Sequence, residues 1–190
     1  MEITQVRHLS FKKSNTLRAA STYCIRRLYH IAKKLKFEKK PFKNTLMKYS
    51  VSIEIDKPID EVISLFNNAD NLKLWMEGLQ SFEPLSGRPG EVGAKSRLKF
   101  KMGKRKIEMI ETITVKNLPE EFTANYEAKG VFNTVKNSFE QLPNNKTKYA
   151  TEQKFQFKGF MKLMGLLMPG AFKKQSMKYL QDFKSFAERQ

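Results

Sequence analysis

The stretch YSVSIEIDKPIDEV, residues 49–62, decides the fold, because one kind of regular structure ends and another begins within it. Apolar and polar side chains alternate strictly from Tyr49 to Asp56, and this period of two predicts a β-strand with one buried face. Lys57 and Pro58 end the strand. Proline suits the first position of a helix, because its φ angle is already helical and its missing N–H would have no partner there. The stretch therefore predicts a strand that is followed at once by a helix.

Two short helices are predicted after this strand. The first covers Ile59 to Phe66, with Val62 directed towards the core. Residues 67–70 contain two asparagines and an aspartate, which are typical of a corner. The second helix covers Asn71 to Glu77 and carries Trp75, the only tryptophan.

The next part of the chain, up to Lys158, has almost entirely the pattern of strands. Clusters of Gly, Pro and Asn interrupt the alternation five times, and each cluster is typical of a turn. Short turns between successive strands predict an antiparallel meander. Six strands fit between the turns: Leu79 to Leu85, Ala94 to Met102, Lys106 to Lys116, Glu121 to Ala128, Phe132 to Leu142 and Lys146 to Phe157.

The last segment, Gly159 to Arg189, has the apolar spacing of a helix. Pro169 and Gly170 should divide it into a short piece and a long one, because proline cannot continue a helix without losing a hydrogen bond. One strand, two short helices, six strands and a long helix together predict the α+β class. We expect a seven-stranded antiparallel sheet with the long C-terminal helix over one face.

The chain of 190 residues is long enough for one domain with an extension. Residues 1–46 hold 12 basic and 2 acidic side chains, whereas the remaining residues hold 24 and 17. Apolar residues recur every three or four positions over residues 16–37, which predicts a basic amphipathic helix of the kind that contacts membrane surfaces. The alternatives for residues 1–46 are a transit peptide, a loosely attached segment and a stretch outside the native chain. Residues 47–190 form the predicted domain.

Residue types that are scarce exclude several kinds of site. Cys24 is the only cysteine, so no internal disulfide can form, and only His8 and His30 could join it in a Cys/His metal site. We therefore expect no metal and no other cofactor, and the lone cysteine favours a reducing, cytoplasmic location. The glycines between Gly87 and Gly93 lack the spacing of a phosphate-binding loop. The longest uncharged apolar stretch has ten residues, Leu163 to Phe172, whereas a membrane-spanning helix needs roughly 20.

Three stretches carry a family resemblance: IEIDKPIDEV (53–62) leading to Trp75, GFMKLM (159–164) and FKKQS (172–176). In these stretches and in the order of elements, residues 47–190 resemble the START-like (SRPBCC) superfamily, which includes polyketide cyclase/dehydrase-like proteins. The resemblance implies a helix-grip fold, a curved sheet wrapped around a long helix with a ligand cavity between them. Members bind sterols, phospholipids, plant hormones, quinones or polyketides, and others serve as chaperone cofactors or toxins. The fold therefore implies a small lipophilic ligand without selecting one.

The alternation also predicts which side chains line the concave face of the sheet. On one strand Ile107, Met109, Glu111, Ile113 and Val115 share that face. Glu111 stands out, because a carboxylate on an apolar face costs several kcal/mol unless it is paired, hydrated or protonated. The predicted ligand-binding residues are Glu111, Asn133, Asn137, Gln153, Thr151, Trp75, Tyr126, Met109, Met164 and Met168. Each also has a structural interpretation, as a core side chain or as a buried polar group satisfied by its neighbours.

Three functions fit these residues. The first is a non-catalytic carrier or sensor that encloses a small lipophilic molecule. The second is a polyketide cyclase or dehydratase that uses Glu111 as acid or base; a Ser/His or Cys/His nucleophile is excluded, because the domain has no histidine after His30. The third is an interaction module that contacts a protein, RNA or a membrane surface. A basic row beginning at Lys95 could meet phosphates, but lysine also prevents edge pairing of strands, so nucleic acid is not the expected partner.

Overall fold

The computed structural model describes residues 46–190, apart from the side chain of Met164. The amphipathic helix predicted at residues 16–37 lies outside the described residues. The order of elements is the predicted one, and a single 3₁₀ turn, Ala69–Asn71, lies between the first two helices. The elements are β1 (Leu46–Ile55), α1 (Ile59–Asn67), α2 (Leu72–Trp75), β2 (Leu79–Ser86), β3 (Lys95–Met102), β4 (Arg105–Asn117), β5 (Glu121–Ala128), β6 (Val131–Leu142), β7 (Lys146–Phe157), α3 (Met161–Leu167) and α4 (Pro169–Ala187).

The seven strands form one antiparallel sheet in the order β1-β7-β6-β5-β4-β3-β2. Strands β2 to β7 are a meander, since each pairs with the next along the chain. β1 instead pairs with β7, where Val51 lies opposite Thr151 and Ile53 opposite Tyr149. The long helix α4 packs against β1. The predicted α+β class and the helix-grip architecture are therefore confirmed.

A register shift in β4 corrects one detail of the predicted concave face. Ile113 lies opposite Ala124, but after the shift Val115 lies opposite Thr123. Successive residues of a strand point to opposite faces of the sheet, so Thr123 and Ala124 lie on different faces. Their partners Val115 and Ile113 therefore lie on different faces as well. The prediction that Val115 continues the row of Glu111 and Ile113 is therefore wrong, because an extra residue in β4 moves Val115 to the outer face.

The larger part of the core lies where α4 crosses the sheet. Ser176, Leu180, Phe183 and Ala187 are buried at spacings of three or four residues, which is the stripe of a helix that covers a sheet. Phe183 is fully buried. Residues of β1, α1, α2, β6 and β7 complete this cluster: Val51, Ile55, Val62, Trp75, Phe139 and Tyr149. None of the described helices has the length and apolar character that a membrane-spanning helix requires.

A second, smaller cluster lies on the same face of the sheet, at its β2–β4 end. Leu79 of β2 and Leu98 and Phe100 of β3 are buried together. Met109 and Tyr126 pack against them but remain half-buried. The concave face therefore has two packed regions, and strands β4 and β5 carry the side chains that border the smaller one.

Candidate functional site

A carboxyl group and a phenol meet on the concave face. Glu111 of β4 and Tyr126 of β5 lie directly opposite each other in the antiparallel pair. The Tyr126 hydroxyl donates a hydrogen bond to Glu111 Oε1 at 2.7 Å. Directly opposed residues of an antiparallel pair are close enough for such contacts. The polar group that stood out in the sequence thus has a hydrogen-bonding partner from the neighbouring strand.

Burial changes the protonation of both groups. Loss of water around the carboxyl raises the pKa of Glu111 above its ordinary value, and the hydrogen bond from Tyr126 offsets only part of this rise. Burial, with the negative charge of Glu111 as the next cause, raises the pKa of the Tyr126 hydroxyl well above its ordinary value. Tyr126 therefore stays a donor at physiological pH, while the proton of Glu111 is held more tightly than in water.

A second polar group continues this site onto the next two strands. Asn133 of β6 lies opposite Tyr126. Its Nδ2 donates to Gln153 Oε1 at 2.8 Å, and Gln153 Nε2 donates to Thr151 Oγ1 at 3.1 Å. The other amide atom, Asn133 Oδ1, is buried and accepts no hydrogen bond from any residue that the structure describes. The site thus contains one unused acceptor beside the Glu111–Tyr126 pair.

Asn137, by contrast, hydrogen-bonds to residues of the core. Its Oδ1 accepts a hydrogen bond of 2.9 Å from the hydroxyl of Tyr149, and its Nδ2 lies 3.5 Å from the carbonyl oxygen of Phe122. Both Asn137 and Tyr149 are buried in the region where α4 covers the sheet. Buried polar groups that are satisfied in this way stabilise a core, and they offer a ligand little.

The inner face is closed at one end and accessible at the other. Ile55, Thr147 and Phe183 are fully buried at the closed end. The side chains around the polar site keep part of their surface accessible, although most are apolar. These half-buried residues are Met109, Glu111, Tyr126, Asn133, Val135, Phe155 and Phe172. An apolar surface with a few convergent polar groups is the usual composition of a small-molecule site.

The remaining predicted site residues lie in different surroundings. Trp75 is buried against Phe183, with ring centroids 5.1 Å apart, and its indole Nε1 has no acceptor in the described part of the chain. Met109 borders the smaller cluster. Met168 lies between α3 and α4 and is exposed. The side chain of Met164 is outside the description. The structure thus brings together Glu111, Tyr126, Asn133, Gln153 and Thr151, with Met109 beside them.

One contact of the inner face was not predicted. The Tyr49 hydroxyl and Ser176 Oγ form a hydrogen bond of 2.9 Å, which joins β1 to α4. Alternation placed Tyr49 on the inner face of β1, but sequence alone gives no helix position opposite it.

A separate surface pocket of about 380 Å³ lies at the start of α1. Its lining is mostly charged or polar, and an ion pair of 2.8 Å joins Lys57 to Glu61 within it. An apolar ligand gains little from such a lining. We therefore place the candidate site on the inner face.

We expect Glu111→Gln to change how stability depends on pH. Below the ordinary glutamate pKa the carboxyl is protonated in both the folded and the unfolded chain. As the pH rises towards the raised folded pKa, only the unfolded chain releases the proton freely, so the wild type loses stability, whereas the variant does not. Urea unfolding between about pH 4 and pH 7 measures the free energy of unfolding of both proteins. The value for the variant minus the value for the wild type should increase with pH.

The matched control for this experiment is Glu108→Gln. It makes the same chemical change on the same strand, at an exposed carboxylate 3.4 Å from Arg97 Nε. A pH trend of equal size in this variant would contradict the assignment of the effect to the burial of Glu111.

Comparison with protein families gives one match. The sequence model of a family described as polyketide cyclase / dehydrase and lipid transport matches residues 55–184. The matched stretch begins at the end of β1 and ends within α4, so it contains the whole candidate site. No curated protein sequence is significantly similar to the chain.

Solved structures share the fold at low sequence identity. The Zhui aromatase/cyclase from a Streptomyces species has a TM-score of 0.62 and 12% identity, over 76% of this chain and 94% of that protein. Ara h 8.0201 has a TM-score of 0.60 and 11% identity, over 76% of this chain and 99% of that protein. A norcoclaurine synthase from Thalictrum flavum, solved with dopamine and hydroxybenzaldehyde, has a TM-score of 0.60 and 12% identity, over 75% of this chain and 87% of that protein. At these identities the similarity shows the fold alone.

Proposed function

Because the chain belongs to the polyketide cyclase / dehydrase and lipid transport family, we propose that it is a carrier or sensor of a small lipophilic molecule bound on the inner face of the sheet. One observation carries the proposal. A half-buried carboxyl–hydroxyl pair, Glu111 and Tyr126, lies next to an unused acceptor, Asn133 Oδ1, among half-buried apolar side chains. The family supports ligand binding or a cyclase-like role, and the proposal extends the first of these to a particular site.

Apolar contact supplies most of the affinity in this proposal. Met109, Val135, Phe155 and Phe172 are half-buried around the polar groups. Covering such surface contributes roughly 25 cal/mol for each Å² removed from water. An unsubstituted hydrocarbon would gain this term but would leave the polar groups without partners.

The polar groups favour a ligand that carries a hydroxyl group or an N–H. An unsatisfied buried acceptor costs about 1–3 kcal/mol, and a donor on the ligand would satisfy Asn133 Oδ1. Glu111 has a second carboxyl oxygen besides the one that Tyr126 contacts, and it can accept when ionised or donate when protonated. A lipophilic alcohol, phenol or amine therefore matches the site better than a hydrocarbon does.

The test is native purification of the full chain, organic extraction and mass spectrometry of the compounds released. We expect the wild type to carry a lipophilic compound and Glu111→Gln to bind it about tenfold more weakly, which corresponds to about 1.4 kcal/mol. Glu108→Gln, on the opposite face of β4, should retain the wild-type amount. Glu111→Gln should bind the compound more weakly because glutamine cannot ionise or donate an O–H, so it forms weaker hydrogen bonds than a carboxyl group does.

A fluorescent probe makes the test independent of what is copurified. N-phenyl-1-naphthylamine is lipophilic, uncharged and has one N–H donor. Its titration should give a lower affinity for Glu111→Gln and for Tyr126→Phe than for the wild type or Glu108→Gln. Equal affinities for all four proteins, together with no extracted compound, would overturn the carrier proposal.

A second candidate, a cyclase- or dehydratase-like enzyme, is favoured by the same pair. Loss of water around the carboxyl raises the pKa of Glu111, and a raised pKa helps a group that must both take and return a proton. In a dehydration Glu111 would remove a proton from the carbon next to a carbonyl, and the freed electron pair would form a C=C double bond with the adjacent carbon. The C–O bond of the hydroxyl on that carbon would break, and Glu111 would return the proton to the hydroxyl, which leaves as water. Tyr126 would hold the carboxyl in place through its 2.7 Å hydrogen bond.

Binding and turnover separate the two candidates. For an enzyme, Glu111→Gln should abolish loss of water from the extracted compound while the compound still binds. For a carrier, the wild type should leave the compound unchanged in mass over the same incubation, and the substitution should weaken its binding.

A further inference from the structure

A cluster of large apolar side chains is exposed on and around α3. We call Phe160, Leu163, Leu166, Leu167 and Met168 the α3 surface. Between 48% and 73% of each of these residues is exposed. These five residues lie within nine positions of the chain, and soluble monomers rarely expose a large apolar patch without a binding role.

The packing of α3 explains why these side chains point outward. Gly165 is buried, and a Cβ atom at this position would lie 2.5 Å from Cε2 of Phe157. Phe157 is itself fixed by Phe155 and Phe172, with ring centroids 5.7 and 5.3 Å away. The helix therefore rests on β7 through its glycine, and its larger residues are left on the other side.

The charges around this surface have one sign. From Gln153 to Gln181 the chain contains six lysines and no aspartate or glutamate. Lys178 is paired with Glu77 and Asp182. The four lysines nearest to the α3 surface form no ion pair with another described residue; they are Lys158, Lys162, Lys173 and Lys174. Three of these four are exposed and Lys162 is half-buried.

We propose that the α3 surface is a docking site for an anionic lipid bilayer. The apolar side chains enter the region between headgroups and acyl chains, and the lysines contact the anionic headgroups. Apolar and basic residues side by side match this environment, because it offers hydrocarbon and negative charge together. The docking goes beyond ligand binding and does not depend on it.

Other occupants fit less well. Residues 1–46 carry 12 basic and 2 acidic side chains, so like charges oppose their binding here. A second copy of the chain would also bring lysine against lysine. A nucleic acid would satisfy the lysines but would leave five apolar side chains without hydrocarbon to enter.

The position of the α3 surface connects it to the candidate site. α3 follows β7 and precedes α4, and Phe172 near the start of α4 packs against Phe155 at 5.1 Å. Phe155 and Phe172 are half-buried residues of the accessible end of the inner face. Docking through α3 would therefore hold that end at the bilayer, where a lipophilic molecule could enter or leave.

The test is flotation of the full chain with two kinds of vesicle. One contains phosphatidylcholine alone, and the other contains phosphatidylcholine and phosphatidylserine in a roughly three-to-one ratio. We expect binding to the second only, and at least a tenfold lower partition coefficient for a variant with Phe160→Ser and Leu166→Ser. The matched control carries Leu85→Ser and Val92→Ser, two exposed apolar residues of β2 and the following loop, and should bind like the wild type.

A charge variant and a fluorescence variant complete the experiment. Lys173→Ala with Lys174→Ala should weaken flotation, whereas Lys99→Ala with Lys101→Ala, exposed on β3, should not. The tryptophan fluorescence of Phe160→Trp should shift to shorter wavelength when anionic vesicles are added, while the signal of the buried Trp75 stays constant.

Unchanged flotation of the Phe160→Ser, Leu166→Ser variant would overturn the proposal, since binding would then come from another part of the chain. Absence of wild-type flotation would overturn it as well. Self-association that these substitutions abolish, without vesicle binding, would identify the α3 surface as a contact between copies instead.

Discussion

Replacing Phe183 with alanine should lower the free energy of unfolding by about 3–5 kcal/mol. Phe183 is fully buried where α4 crosses the sheet. Its ring lies 5.1 Å from Trp75, 5.6 Å from Tyr149 and 5.8 Å from Phe66, measured between ring centroids. Truncation to alanine removes all of these contacts and leaves a cavity between α4 and the elements α1, α2 and β7. Urea unfolding at neutral pH measures the loss directly.

Phe160→Ala is the matched control, because the same side chain is removed from a position that is 73% exposed. Its free energy of unfolding should stay within about 0.5 kcal/mol of the wild-type value. A cost below about 1 kcal/mol for Phe183→Ala would contradict the packing of α4 on the sheet. Because Phe160 belongs to the α3 surface, the two variants should also separate stability from membrane binding.

Local sequence patterns were sufficient to predict the elements of the fold. Strands β5 and β7 have the predicted ends, and the other four predicted strands differ from the observed ones by one residue at most at either end. Alternation marks a strand, and glycine, proline or asparagine marks its end, so both signals lie within a few residues of each other. Pro169 likewise separates α3 from α4 as predicted, because the effect of proline on a helix is local.

The candidate site depends on register, which is not a local property. Glu111 and Tyr126 were both predicted to bind the ligand, but the hydrogen bond between them was not predicted. The bond requires the two residues to lie opposite each other, which depends on the turn between β4 and β5 and on the bulge after Ile113. The same bulge moves Val115 out of the predicted row.

Exposure of α3 could not be predicted either. Met164 and Met168 were predicted either to bind the ligand or to belong to the core, because a sequence pattern shows which side chains are apolar without showing which are covered. The close approach of Gly165 to Phe157 determines the covered side. That contact joins a helix to a ring eight positions earlier in β7, and helical periodicity alone does not specify it.

Replacing Tyr126 with phenylalanine should lower the free energy of unfolding by about 1–3 kcal/mol at neutral pH, because the half-buried carboxyl of Glu111 then loses its only hydrogen-bonding partner in the described residues. The loss should shrink towards pH 4. The Tyr126 hydroxyl lowers the pKa of Glu111, so without it the folded pKa rises further, and stability decreases more steeply as the pH rises through that range. Urea unfolding at several pH values measures this trend.

Tyr49→Phe controls for the loss of a hydroxyl in general. Tyr49 shares a hydrogen bond of 2.9 Å with Ser176, which does not ionise, so its cost should be independent of pH between about pH 4 and pH 7. A pH trend in both variants would show that the loss at Tyr126 does not come from Glu111.

A double-mutant cycle then isolates the pair. Leucine at position 111 removes the carboxyl and keeps an apolar side chain, so in a Glu111→Leu background Tyr126→Phe should cost less than about 0.5 kcal/mol. Equal costs in both backgrounds would mean that the two groups do not interact, although they lie 2.7 Å apart. A large coupling together with a Glu111→Leu variant that is more stable than the wild type would mean that the carboxyl is retained at a cost to stability. Such a cost is expected of a group that serves ligand binding, and it is not expected of one that only completes the core.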